Sequence, residues 1–342
     1  MGFNVALPTE TVYGLFAVFW KPSAVKGIYD KKGRSMTNPL IVHASDLEDV
    51  YEYDITLMTK KEEIIFHILA DNFWPGPCTF VVRANVDKVN PMIRNNSQFV
   101  AIRVPMYELL RKILRLVGLL VGPSANRSGK ISPTTAKHVF DDYFGLSIFM
   151  PILRSCNQTH EKAYGLESSI IQIEETDTGV IIKMLRAGAI GTEQIHDCLS
   201  KQTFDFQYTI DVNIYCVNHT TSVAPGQEIT HYAPDTNTFI GTSNGETAVR
   251  REDAVLLATK EILDEHGSKY NKCFVLPSTD DECAEVLYDI MREADAYCKK
   301  HLIGTIVICK EGLRVVNPKA GTTSAIHEKL VRATSAAPCV RV

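Results

Sequence analysis

Apolar residues along the first two hundred positions follow two rhythms. Some form short blocks flanked by turn residues, and others are spaced three and four apart. The blocks Val5 to Leu7, Pro39 to His43, Thr79 to Arg83 and Phe99 to Val104 predict strands. Ser168 to Glu174 and Gly179 to Leu185 repeat the pattern and pair naturally as neighbours. Helical spacing marks Lys60 to Phe73, through Ile64, Ile65, Ile68 and Leu69. It also marks Met106 to Val117, through Leu109, Leu110, Ile113 and Leu114. The second half of Phe16 to Asp30 has helical character, and Ser132 to Asp142 reads as a helix opening with Pro133 in its first turn. Strands and helices mix without strict alternation, so the expected fold is α/β with a twisted mixed sheet.

The pattern changes near Ala233. Thr238 to Gly241, Lys272 to Leu276 and Gly304 to Cys309 read as three short strands, separated by helical stretches Glu252 to Glu265 and Asp280 to Lys300. That order predicts a second, smaller doubly wound α/β domain. Proline and glycine between His219 and Pro234 predict a linker crossing the surface. A length of 342 residues suits two domains.

Composition narrows the class. A hydrophobic share of 45% and a charged share of 22% rule out a disordered chain, a collagen and a coiled coil. No apolar run reaches the roughly 18 residues of a membrane span. The longest, Leu109 to Val121, is broken by Arg111, Lys112 and Arg115. A net charge of -4 gives no signature of a dedicated nucleic-acid binder. The 9 cysteines include no C-x-x-C pair, so a disulfide framework and a zinc ribbon are not expected. No His/Cys cluster has metal-ligand spacing. Buried thiols in a reducing compartment, the cytoplasm, fit better. Met1 to Val5 lacks the basic and apolar regions of a signal peptide.

Three segments carry candidate chemistry. Gly122 to Lys130 superficially resembles a phosphate loop, but six residues separate its glycines and Ile131 follows Lys130, so that loop is rejected. Its small hydroxyl residues still suit a backbone cradle for an anion; the plain alternative is a polar turn. Pro8 to Gly14 would place Thr9 and Thr11 on one side and Glu10 on the other if extended. Lys32-Gly33-Arg34 can clamp a polyphosphate or form an ordinary solvated loop. His43 ends an apolar strand, where a histidine is more often structural than catalytic. No G-x-S-x-G elbow supports a serine hydrolase.

Taken in order, seven blocks resemble the threonylcarbamoyl-AMP synthase family, whose first domain is called YrdC-like. They are Pro8 to Leu15 (PTETVYGL), Lys32 to His43 (KGRSMTNPLIVH), Trp74 to Phe80 (WPGPCTF), Val100 to Pro105 (VAIRVP), Pro123 to Thr135 (PSANRSGKISPTT), Gly165 to Ile170 (GLESSI) and Leu185 to Ile190 (LRAGAI). Ala224 to Pro234 (APGQEITHYAP) resembles the linker of the two-domain branch. The resemblance implies a YrdC-like catalytic domain over 1–207, a linker and lid over the active site at 208–234, and a small α/β domain over 235–342. It implies an enzyme that forms threonylcarbamoyl-adenylate and pyrophosphate from L-threonine, bicarbonate and ATP, with Mg2+ accompanying the nucleotide. The product would feed the tRNA threonylcarbamoyl-transfer machinery, with tRNA or double-stranded RNA as a further partner and no membrane.

The resemblance also implies a site. Lys32 and Arg34 would act on the phosphates, with Asn38, Ser124, Asn126, Ser132, Arg186, His231 and Tyr232 around ATP. Thr11, His43, Arg103, Gly122 and Ser168 would surround L-threonine, Arg103 as the natural bidentate partner of its carboxylate. Tyr13 would wall the pocket. Departures from the family pattern are Arg154-Ser155-Cys156, Ser169 in place of threonine, and the ending Glu311 to Val342. Members also carry a helix and the start of a strand ahead of the first block. A non-catalytic RNA-binding module of the same fold is the alternative; the intact Lys32, Arg34, Ser124 and Asn126 favour the enzyme. A carbamoyltransferase of the hydrogenase-maturation kind would add an acylphosphatase domain and cysteine zinc motifs, which this sequence lacks.

Overall fold

The computed structural model describes residues 3–146, 148, 150–154, 164–211, 224–225, 231–242, 249–309, 321–334 and 340–341. Ser155-Cys156, most of the linker and residues 311–320 and 335–339 of the divergent ending lie outside them. The chain forms two compact units. The first comprises Met1–Ser128, Pro133–Glu228 and Pro318–Gly321, and the second Gly129–Ser132, Ile229–Asn317 and Thr322–Val342.

The first unit runs β1 (Val5–Leu7), β2 (Gly14–Val18), α1 (Pro22–Lys32), β3 (Ile41–His43), α2 (Leu47–Glu52), α3 (Lys60–Phe73), β4 (Cys78–Arg83), α4 (Pro91–Arg94), β5 (Phe99–Arg103), α5 (Glu108–Val117), β6 (Leu120–Gly122), α6 (Ala136–Tyr143), β7 (Ser169–Thr176), β8 (Gly179–Arg186), α7 (Thr192–Leu199) and β9 (Tyr208–Asp211). Its nine-stranded sheet has the order β1-β2-β6-β3-β5-β4-β7-β8-β9. β3 with β5, β4 with β7 and β8 with β9 are parallel. The other pairs are antiparallel, so the expected mixed sheet forms.

Strand alternation divides the core. Val42, Phe80, Val82, Val100, Ile102 and Ile171 enter the large cluster on one face. Their neighbours Ile41, Val81, Ala101 and Ile170 form a smaller cluster with Leu185 and Ala224 on the other. By the same alternation His43, Thr79 and Arg103 belong to the smaller face, where β3 and β5 end and β4 begins. That end of the sheet positions the site.

The helices obey local rules. α3 opens on a capping box between Thr59 and Glu62, with Glu62 and Glu63 in its positive first turn. Its buried side is Ile65, Phe66, Leu69 and Ala70, while Ile64 is exposed. In α5 likewise Leu110 and Leu114 are buried and Leu109 is exposed. α1 starts with Pro22 in its first turn and ends at Gly33, whose φ of 63° a glycine adopts without strain.

Three expectations need correction. The helix expected from Ser132 starts instead at Ala136, because the Thr135 hydroxyl caps it by accepting from the His138 amide. Pro133 lies outside it, its carbonyl taking the Tyr13 amide at 2.8 Å. The second half of Phe16 to Asp30 is helical as expected, in α1, and Gly14–Val18 ahead of it is a further strand. The linker's described residues Ala224, His231 and Tyr232 are buried rather than on the surface.

The second unit contains β10 (Asn237–Thr242), β11 (Ala254–Ala258), α8 (Lys260–His266), β12 (Lys272–Val275), α9 (Asp280–His301), β13 (Thr305–Cys309), α10 (Gly321–Thr334) and β14 (Val340–Arg341). Its five-stranded sheet, ordered β12-β11-β13-β10-β14, is parallel throughout. The third correction falls here. The helix expected over Glu252 to Glu265 is a strand followed by a short helix. All five residues of β11 are buried, and such a strand is an unbroken apolar run with no alternation to announce it.

Burial predicts the stability response. Ile102→Ala, at a wholly buried position of the main core, is expected to cost about 2–5 kcal/mol. Leu116→Ala, at a position 85% exposed, should change stability by under about 0.5 kcal/mol. Equilibrium denaturation followed through Trp20 and Trp74, both in the first unit, checks the pair.

Candidate active site

The site is built on a backbone seam between Pro8–Leu15 and the segment that follows β6. Leu15 donates its amide to the Pro123 carbonyl at 2.9 Å, and Ala125 donates to the Tyr13 carbonyl at 2.7 Å. Gly122 lies in this seam. A Cβ there would sit 2.4 Å from the Leu15 carbonyl oxygen, so only glycine permits the approach. Gly122 is thus a packing position, whatever ligand contact its backbone makes.

Lys32, the last residue of α1, is buried and turns its ammonium onto the seam. Its Nζ donates to the Ser124 carbonyl at 2.6 Å and to the Asn126 carbonyl. The Ser124 hydroxyl donates to Asn126 Oδ1 at 2.5 Å, and the Ser128 amide to the Lys32 carbonyl at 3.0 Å. Two residues on, Arg34 is also buried. Its Nε donates to the Asn38 carbonyl at 3.2 Å, and its Nη2 to Asn38 Oδ1 and to the Pro39 carbonyl at 2.9 Å. Lys32, Ser124 and Asn126 therefore form one hydrogen-bonded group, with Arg34 and Asn38 on the turn that leaves α1.

A second group gathers at the end of the sheet. Arg103 Nη2 is ion-paired with Glu10, Nη1 donates to the Thr11 hydroxyl at 3.0 Å, and Nε donates to the Gly76 carbonyl at 3.2 Å. Glu10 and Thr11 thus converge on one guanidinium instead of pointing apart. The reason is local. The Thr9 hydroxyl accepts from the Thr11 amide at 3.0 Å, which bends the segment out of the extended form. Glu10 is the site residue that sequence reasoning assigned elsewhere. Arg103 retains two N–H donors beyond the three used here. Beside it, the Ser168 hydroxyl meets the Thr79 hydroxyl at 2.7 Å and accepts from Arg186 Nη2 at 3.1 Å. Arg186 Nε also donates to the Ser168 carbonyl at 3.0 Å. Thr79 was missed as well; its only signal was a hydroxyl within the WPGPCTF block.

His43 is the register partner of Arg103 across β3 and β5. Burial, reinforced by the Arg103 guanidinium, pushes its pKa down to about 3, against the pull of the Ile41 carbonyl. The ring is neutral at pH 7. Its Nδ1 lies 3.1 Å from the Ile41 carbonyl, which can only accept, so Nδ1 carries the proton and Nε2 offers a lone pair.

Three expected site residues belong to the second unit. Ser132 is wholly buried there. Tyr232 takes φ 63°, meets His231 edge-on at 4.0 Å between ring centroids and stacks on Tyr288 at 5.9 Å. Lys329 Nζ lies 5.3 Å from the Tyr232 ring centroid.

Residues 1–188 match the family model described as Telomere recombination (Sua5_yciO_yrdC), and residues 190–335 match the one described as Threonylcarbamoyl-AMP synthase, C-terminal domain. The chain belongs to the threonylcarbamoyl-AMP synthase family. Within it, the Pyrococcus abyssi synthase is 29% identical over 340 residues, covering 97% of this chain and 91% of its own length. The Bacillus subtilis synthase is 34% identical over 231 residues, covering 67% of this chain and 60% of its own length. The crystal structure of P. abyssi Sua5 complexed with L-threonine matches with a TM-score of 0.76 at 28% identity, over 99% of this chain and 92% of that one.

Three variants probe this member of the threonylcarbamoyl-AMP synthase family at its buried titratable groups. Arg103→Ala strands the Glu10 carboxylate and is expected to cost about 3–5 kcal/mol, more than Glu10→Ala/Arg103→Ala together; denaturation midpoints compare them. His43 titrates near 6.5 when unfolded but near 3 when folded. Between those values only the unfolded chain binds the proton, so stability present above pH 6.5 is lost as pH falls toward 3. His43→Gln should remove up to about 2 kcal/mol of the loss between pH 6.5 and 5. Denaturation at the two pH values tests this, and a variant with the wild-type pH slope would count against it.

Proposed function

We propose that this chain is a nucleotidyltransferase that makes threonylcarbamoyl-adenylate from L-threonine, bicarbonate and ATP, releasing pyrophosphate. The product supplies the enzymes that modify a tRNA adenosine. The observation that carries this reading is the complete Lys32, Arg34, Asn38, Ser124 and Asn126 set, buried and hydrogen-bonded, in a chain that matches both domain models of the family.

In the reaction the threonine amine attacks the carbon of bicarbonate, and a C–O bond breaks with loss of water to give a carbamate. A carbamate oxygen then attacks the α-phosphorus of ATP, and pyrophosphate leaves. A polyanion is formed and released, so positioning and charge neutralisation supply most of the catalysis. Lys32 and Arg34 hold phosphate oxygens, while Asn38, Ser124, Asn126, Ser132 and Arg186 complete the nucleotide site. His231 and Tyr232, at the end of the 208–234 linker, are assigned to the nucleotide as well. Thr11, His43, Arg103, Ser168 and the Gly122 backbone receive L-threonine. The unprotonated Nε2 of His43 accepts a proton donor of that substrate. Among the described residues no three His, Cys, Asp or Glu side chains are grouped to hold a metal. Magnesium would enter on the phosphates, with the Ser124 hydroxyl and Asn126 amide oxygen suited to its water shell. It would neutralise phosphate charge. No helix of the described residues is long and apolar enough to cross a membrane, and cytoplasmic location is part of the proposal.

The test is pyrophosphate release from ATP and magnesium, with and without L-threonine and bicarbonate. Release should require both. Lys32→Ala should lower it by about a hundredfold, the scale of losing one preorganised charge at a reacting group. A folded chain with salt-sensitive RNA affinity and no turnover would overturn the reading in favour of a binding module.

A further inference from the structure

The segment that carries Ser124 and Asn126 does not stay within one unit. Ser128 is tied to the first unit through its amide to the Lys32 carbonyl, and Pro133 through its carbonyl to the Tyr13 amide. The four residues between them, Gly129–Ser132, belong to the second unit. There the Ala233 amide donates to the Gly129 carbonyl at 3.0 Å, and Lys130 pairs with Ala233 as a single parallel bridge. Lys130 also forms an ion pair with Asp235, whose other oxygen takes Lys299 at 2.5 Å. Lys299 reaches Asp295 at 2.7 Å. Those side chains are about half exposed apart from Asp295, so salt screens them and they grip the segment weakly.

The stronger hold comes from α9. Arg292 is only partly exposed, and its guanidinium donates to two consecutive carbonyls, Ile131 through Nη2 and Ser132 through Nε at 3.4 Å. Ile131 and Ser132 are themselves buried. A planar cationic fork on adjacent carbonyls fixes both the path and the peptide orientation of a chain, which a single point charge cannot do.

We propose that Arg292 is a positioning residue for nucleotide binding. By holding the Ile131 and Ser132 carbonyls it sets the course of the Ser124–Pro133 segment, so ATP affinity depends on a side chain remote in sequence from every YrdC-like block. This inference rests on the reading that Ser124, Asn126 and Ser132 face ATP.

The experiment uses the full chain and its Arg292→Ala and Arg292→Lys variants. ATP binding is titrated calorimetrically with magnesium, and KM for ATP and for L-threonine is measured by pyrophosphate release. Arg292→Ala should weaken ATP binding about tenfold, the scale of losing charge-assisted hydrogen bonds. Its KM for threonine should stay within about twofold, because His43, Arg103 and Ser168 are held by the ends of β3, β5 and β7 rather than by the Ser124–Pro133 segment. Arg292→Lys should recover part of the affinity, and it carries the comparison if Arg292→Ala fails to fold. Unchanged ATP affinity in a folded Arg292→Ala, or in Arg292→Lys where Arg292→Ala does not fold, or an equal rise in both KM values, overturns the proposal alone. A wild-type chain that binds no ATP overturns the functional reading and this proposal with it.

Discussion

The parallel pairing of β3 with β5 sets His43 opposite Arg103, and most of the first unit's chemistry follows from that register. β4 runs antiparallel to β5 and parallel to β7, which brings the start of β4 and the start of β7 to the same end of the sheet. Thr79 and Ser168 therefore meet beside the histidine and the arginine. A slip of one residue in any of these pairings would exchange the two faces. The polar groups would then enter the large apolar cluster, where nothing compensates them. The site's geometry is thus as fixed as the core's, because both read the same hydrogen-bond ladder.

Holding cations in such a place is costly, and the structure shows how the cost is limited. Lys32 sits at the C-terminal end of α1, where the helix dipole favours positive charge, and two carbonyls of the seam replace part of its water. Arg34 is embraced by the turn formed by Asn38 and Pro39, and Arg103 has a buried carboxylate of its own. These partners order the cations without moving them toward bulk solvent. Polar groups already oriented before a ligand arrives need little reorganisation when charge moves in the reaction.

Much of this was legible in the sequence. Alternating apolar blocks located most strands, and the motif blocks named the residues that now line the two hydrogen-bonded groups. What was hidden has definite causes. β11 is buried on both faces and so lacks alternation, and β2 is likewise buried along four of its five residues. Glu10 was placed on the opposite side from Thr11 because its partner is 93 positions away and because a threonine hydroxyl, not strand geometry, decides which way it points. The helix expected at Ser132 failed because a hydroxyl cap three residues later competes for the start. In each case a tertiary contact or a single side chain outweighed the local pattern.

The Gly129–Ser132 excursion has a consequence for how such a protein can be inherited and recombined. A boundary drawn along the sequence near residue 207 separates two apparently complete modules. The folded chain does not divide there, because four residues encoded within the first module are built into the second. A first module exchanged between relatives would bring its own excursion but leave behind the Ala233, Asp235 and Arg292 that hold it. The two halves are therefore expected to change together, and the short loop between Ser128 and Pro133, rather than the long linker, is the point at which a hybrid of two relatives would be mismatched.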